Sequence, residues 1–262
     1  MKRLFIASLL AFAPFTWALD QAGSQRLSDL QQRWAQIQYQ MPKDTRADAF
    51  EKLAGDAATF VHQYPGTPEP LIWEGIINSS WAGATGGLGA LGKVKAAKAS
   101  LEQAMKLDPN ALQGSAYTSL GTLYDQVPGW PIGFGDAEMA DKMLRKALQI
   151  NPNGIDSNYF WADHLYRQKR YPEATAALQK ALQAPPRPGR ELADQGRRAD
   201  IDALLKAIKD KQDSTCGCCW LRMTLHWGKG SATACARRGT PSTGCGTVSV
   251  ACMRCNTRPS TC

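Results

Sequence analysis

The sequence predicts an all-α protein built as a helical repeat. Three observations predict it. One proline-terminated pattern recurs, apolar residues elsewhere keep helical spacing, and proline and glycine clusters punctuate the intervals. The pattern is plain when the chain is aligned on Pro109, Pro152 and Pro186. Ala97, Leu101 and Ala104 stand 12, 8 and 5 residues ahead of the first proline. Ala140, Leu144 and Ala147 precede the second, and Ala174, Leu178 and Ala181 the third, at the same distances.

Small residues at these positions let helices approach closely, and the proline stops the helix. That is the second helix of a tetratricopeptide (TPR) repeat. The expected fold is therefore all-α, a TPR-type helical-repeat superhelix with capping helices and a disordered C-terminal tail.

Met1-Lys2-Arg3 followed by an apolar run from Leu4 to Phe15 reads as a signal peptide over residues 1–18, with the cut after Ala18. The apolar core is too short to span a bilayer. An uncleaved anchor is the alternative, since Trp17 is bulky beside the cut. The mature chain is expected to be periplasmic, with no membrane insertion after cleavage.

Residues 19–66 are expected to form two capping helices. Leu27, Leu30, Trp34 and Ile37 keep helical spacing in the first. Asp44 is placed to cap the second, whose apolar face is Ala47, Phe50, Leu53, Ala57, Phe60 and Val61. Three TPR-like repeats follow over 67–186, with inserted loops at 82–92 and 127–135. Five glycines between Ala82 and Gly92 oppose helix there. Tyr117, Leu120, Gly121 and Tyr124 fill the large, large, small and large places of a repeat's first helix. The interval from Pro109 to Pro152 is 43 residues against a usual period of about 34. The run Val127 to Gly135 accounts for the excess. A C-terminal capping helix is expected over 187–212, beyond Pro185-Pro186-Arg187-Pro188-Gly189.

The net charge of +8 is no sign of nucleic acid. Lys2 and Arg3 precede Leu19 and six basic residues follow Thr215, leaving 23 basic against 23 acidic residues between. No nucleic acid partner is expected. All eight cysteines lie in the tail over 213–262, which has no Asp or Glu beyond Asp213. A disulfide module and a zinc site are two readings of it. The favoured third is a frameshift. With allowed codons, Cys216 to Thr224 shifted by one base reads Met-Arg-Leu-Leu-Leu-Val-Glu-Asp-Asp. That resembles the first strand and acidic pocket of a response-regulator receiver domain, so the tail resembles an out-of-frame regulator gene.

Gly87-Leu-Gly-Ala-Leu-Gly92-Lys93 fits two phosphate-loop patterns, but either needs a strand before it, and here a helix precedes. Three scattered histidines, His62, His164 and His226, assemble no catalytic or metal-binding spacing. No enzyme activity, cofactor or metal is expected. Aromatic residues are the candidates for binding. Trp81, Tyr117, Tyr124, Trp130, Phe134, Tyr159 and Trp161 could line a groove, although core packing is the plainer role for most of them.

Val127 to Asp136, Asn151-Pro-Asn-Gly-Ile155 and Ala184 to Gly189 resemble a family of exported bacterial TPR proteins, over roughly Glu69 to Ala207. More distantly, an exported TPR stack with inserted loops is similar to the T-component of TRAP transporters. The first resemblance implies a non-enzymatic scaffold or adaptor that binds a protein or peptide partner in the periplasm. The second implies an accessory protein of a periplasmic transporter that binds a small apolar ligand.

Overall fold

The computed structural model describes the backbone of residues 19–227 and the side chains of residues 19–213. Among the described residues there are helices and turns and no strand. α1 is Gln21–Gln40, α2 Arg46–Gln63, α3 Pro68–Thr85, α4 Ala90–Leu107 and α5 Ala111–Gln126. α6 is Ala137–Ile150, α7 Ile155–Arg167, α8 Tyr171–Leu182 and α9 Glu191–Trp227. The expected signal peptide lies outside the described residues, and so does the part beyond Trp227 of the tail expected over 213–262.

Contacts divide the chain at Leu204. The first unit holds α1 to α8 and the start of α9; the second, in its described part, is the rest of that helix. Within the first unit, α1 pairs with α2, α3 with α4, α5 with α6 and α7 with α8, and each pair packs on the next. This is the TPR arrangement.

All nine residues of the repeated pattern, from Ala97 to Ala181, are fully buried at 0% exposure. The close approach is visible opposite the leucines. A Cβ on Gly75 would sit 2.6 Å from Leu101 Cγ, and one on Gly121 2.7 Å from Leu144 Cγ. The first helix of each of these pairs thus gives up its side chain so that the second can seat a leucine against its backbone.

Three boundaries differ from expectation. Asp44 lies in a short 3-10 turn, Lys43–Thr45, and α2 starts after it without a side-chain cap. The glycine-rich interruption between α3 and α4 shrinks from 82–92 to residues 86–89, because packing of Ala82 and Val94 extends both helices. α9 begins at Glu191, within the expected 187–212 segment, but its backbone continues beyond residue 212 to Trp227. Two caps escaped the sequence reading. Asp20 accepts from the Gly23 N–H at 2.7 Å and the Tyr64 hydroxyl at 2.9 Å, and Asp136 accepts from the Glu138 and Met139 N–H groups.

The insertion after α5 is folded back on itself. The Gly135 N–H donates to Pro128 O, and the Asp136 N–H to Tyr124 O. A Cβ on Gly135 would lie 1.9 Å from Val127 O, so only glycine fits. Phe134 turns inward, its ring edge-on to Tyr124 with centroids 5.6 Å apart.

Candidate functional site

The first helices of the pairs, α3, α5 and α7, turn one face inward onto a continuous groove of about 1,580 Å³. Its floor is made of short hydroxyl side chains. Ser79 and Ser80 on α3, and Ser115, Ser119 and Thr122 on α5, line it. All but Ser119 donate to a carbonyl three or four residues back, Ser115 to Leu112 in the left-handed stretch that opens α5. Small residues spaced at helical period leave the space open; the Ser80 oxygen accepts from the Trp34 Nε1–H at 2.8 Å, and the other hydroxyl oxygens keep capacity as acceptors. The sequence carries that spacing in plain view, but its aromatic residues are the louder signal for binding.

The walls differ in chemistry. Both inserted loops add to an apolar wall: Leu88 and Ile132 line the groove while remaining 82% and 58% exposed. Val94, Leu123 and Val127 continue that apolar wall. Aromatic residues complete the lining, with Trp34, Phe50, Trp73, Tyr159 and Phe160. Five basic residues line the groove against two acidic ones. The neutral charge sum of the folded part conceals this local excess.

The charged wall is built by the start of α9 and the segment before it. Arg187 donates through its backbone N–H and Nε to Asp194, and through Nη1 to Asp156 at 2.7 Å. Arg197 donates to Asp156 at 2.8 Å and to Asp200 at 3.1 Å, and lies over the rings of Tyr159 and Phe160. Burial acts to raise the Asp156 carboxyl, but the Arg197 and Arg187 charges outweigh it and hold it well below the usual carboxylate range. Arg190 stands apart. Its guanidinium carbon lies over the Trp73 ring, 5.0 Å from the centroid, and its buried Nε has no acceptor among the described residues.

The same segment ties the ends of the unit together. The Tyr39 hydroxyl on α1 donates to Asp200 on α9 at 3.2 Å. A Cβ on Gly196 would fall 2.4 Å from the Tyr39 ring, so glycine there gives the ring its seat. Burial, ahead of the neighbouring charges, pushes the Tyr39 phenol up.

Of the seven aromatics considered from sequence, Tyr159 alone lines the groove. Tyr124 and Phe134 pack on the core between α3, α4 and α5, with the Lys98 ammonium over both rings. Trp81 packs on the core of α1 to α3 under Lys93. Trp161 lies between His164 and the Arg145 guanidinium. Tyr117 is half-buried outside the lining, and Trp130 projects from its loop tip, 91% exposed. The structure therefore does not gather these seven into one surface. Most are consumed by packing.

Two other motifs resolve into structural roles. The Lys93 Nζ donates to Gly89 O and covers Trp81, and the preceding element is α3. Nothing there presents a phosphate cradle. His164 does acquire an acidic neighbour, Asp125, 39 residues away, with Nδ1 to Oδ1 at 2.8 Å. Yet the imidazole is fully buried, between Asp125 and the Gln168 amide, so no substrate could reach it. The pair joins α5 to α7. Among the described residues no group of His, Cys, Asp or Glu could hold a metal, and no helix is long and apolar enough to cross a membrane.

Residues 88–111, covering the second helix of the first repeat, match the tetratricopeptide repeat family. No curated protein matches the chain. Among solved structures, a thermophilic TPR protein of Thermus thermophilus is similar at 15% identity over 71% of this chain and 98% of that one, with a TM-score of 0.47. MamA of Desulfovibrio magneticus is similar at 17% identity over 78% and 98%, with a TM-score of 0.41. PilF of Pseudomonas aeruginosa is similar at 14% identity over 72% and 94%, with a TM-score of 0.30. At these scores the likenesses carry no functional weight. The paired helices, the nine buried pattern residues and the repeat match identify an all-α fold of TPR type.

Proposed function

We propose that this chain is a non-catalytic, exported scaffold whose groove receives an extended segment of a partner protein. The groove itself carries the reading. At about 1,580 Å³ it exceeds the roughly 300–1,000 Å³ of small-molecule pockets. Its hydroxyl floor offers acceptors for a peptide backbone along two successive repeats, while the walls offer apolar and aromatic contacts for alternating side chains. Export is supported by the signal-like sequence of residues 1–18 alone.

The apolar side formed by Leu88, Val94, Leu123 and Ile132 favours a second reading, a small apolar ligand handed on by a transporter accessory protein. The two separate on one experiment. A degenerate octapeptide library is passed over the immobilised protein and over Ser119→Trp, which fills the groove from the half-buried inner face of α5. Retention of a defined peptide set by the wild type, lost in Ser119→Trp at unchanged helicity, is the expected result. No retention by the wild type would sink the peptide reading.

A further inference from the structure

We infer that Arg190 is the group by which the groove selects an acidic side chain on the peptide it receives; this rests on the peptide-groove reading above. Three independent observations meet at this residue. The first is charge. The groove is lined by five basic residues and only two acidic ones, in a folded part whose charges otherwise balance.

The second is partnering. Arg187 and Arg197 are saturated by Asp156, Asp194 and Asp200. Arg46 donates to Met41 O, and Lys43 is exposed to water. Among the described residues, Arg190 is the lining cation that is both largely withdrawn from water and without an acceptor for its Nε. No carboxylate pairs with the Arg190 guanidinium among the described residues, so its charge at the groove is left for an incoming carboxylate to meet. Burial and the Arg187 charge also lower its pKa from the usual arginine value, and the charge of an arriving anion opposes that shift.

The third is support. Trp73, only 3% exposed, lies under the Arg190 guanidinium, and its own Nε1 also lacks an acceptor among the described residues. A guanidinium set over an indole keeps its planar array of donors, which suits a planar carboxylate. A phosphate would call for several free cations, and the neighbouring arginines are already neutralised. The chain's own residues 1–18 and 214–262 contain no Asp or Glu, so the side chain comes from another protein.

The octapeptide library tests this with one position fixed in turn as Asp, Glu, Asn, Gln or Lys. Wild-type protein should retain the Asp and Glu pools about tenfold or more over the Asn and Gln pools, as expected of a charge-assisted hydrogen bond. Arg190→Gln should lose that preference while still retaining the neutral pools, which shows that the groove has folded. Arg190→Lys should restore it in part. An acidic preference that survives in Arg190→Gln, or a wild type indifferent to acid, overturns the assignment and leaves the peptide groove standing. A wild type that retains no pool overturns both.

Discussion

Lys169 closes α7 with a left-handed backbone, φ 63°, while the Arg170 N–H donates to Leu165 O. A glycine takes this conformation freely, whereas a side chain meets the following carbonyl. The lysine side chain is exposed, so no packing offsets the strain. Lys169→Gly should therefore stabilise the protein by about 1 kcal/mol, read as a higher midpoint in urea at unchanged slope. A lower midpoint would mean that the chain tolerates the strain for a reason outside this turn. The same scale explains why Tyr124 and Phe134 do not line the groove: the two rings meet edge-on, 5.6 Å between centroids, under the Lys98 ammonium.

At the scale of elements, the repeat works by interlock. Leu144 reaches the backbone of α5 only because position 121 carries no side chain. Gly121→Ala sets a methyl 2.7 Å from Leu144 Cγ and 3.2 Å from its backbone nitrogen, so the helices must part. A loss of about 1–3 kcal/mol is expected, which thermal melts would read as a fall of several degrees. An unchanged melting temperature would show that α5 and α6 are not tightly seated. This part of the architecture was legible in the sequence, because Ala140, Leu144 and Ala147 repeat at distances that helical geometry fixes. Loop ends were less so. Glycines between 82 and 92 oppose helix locally, but Ala82 and Val94 are held by neighbours far along the chain. The groove was the least legible feature. Its lining runs from Gln31 to Asp200, and no single stretch reveals which faces meet.

Over the unit formed by residues 19–204, the charged wall has a consequence for acid stability. The Asp156 carboxyl ionises more easily folded than unfolded, because Arg197 and Arg187 outweigh its burial. Its contribution is therefore complete above the ordinary carboxylate range, at about pH 4, and drains away as the pH falls below it. Thermal melts between neutral and acid pH should show wild type above Asp156→Asn at neutrality and the gap narrowing in acid. A gap independent of pH would show that the aspartate acts by shape alone.

The hydrogen bond from Tyr39 to Asp200 spans 161 residues. Repeat arrays ordinarily fold as a line, each unit answering only to its neighbours, so that fraying can start at either end. A clasp between α1 and α9 makes the line into a circuit. Loss of any one pair is then felt by both ends at once, and the chain must search out its most distant contact before the circuit is complete. The groove inherits this all-or-nothing character: it exists as a whole, or its charged wall has let go.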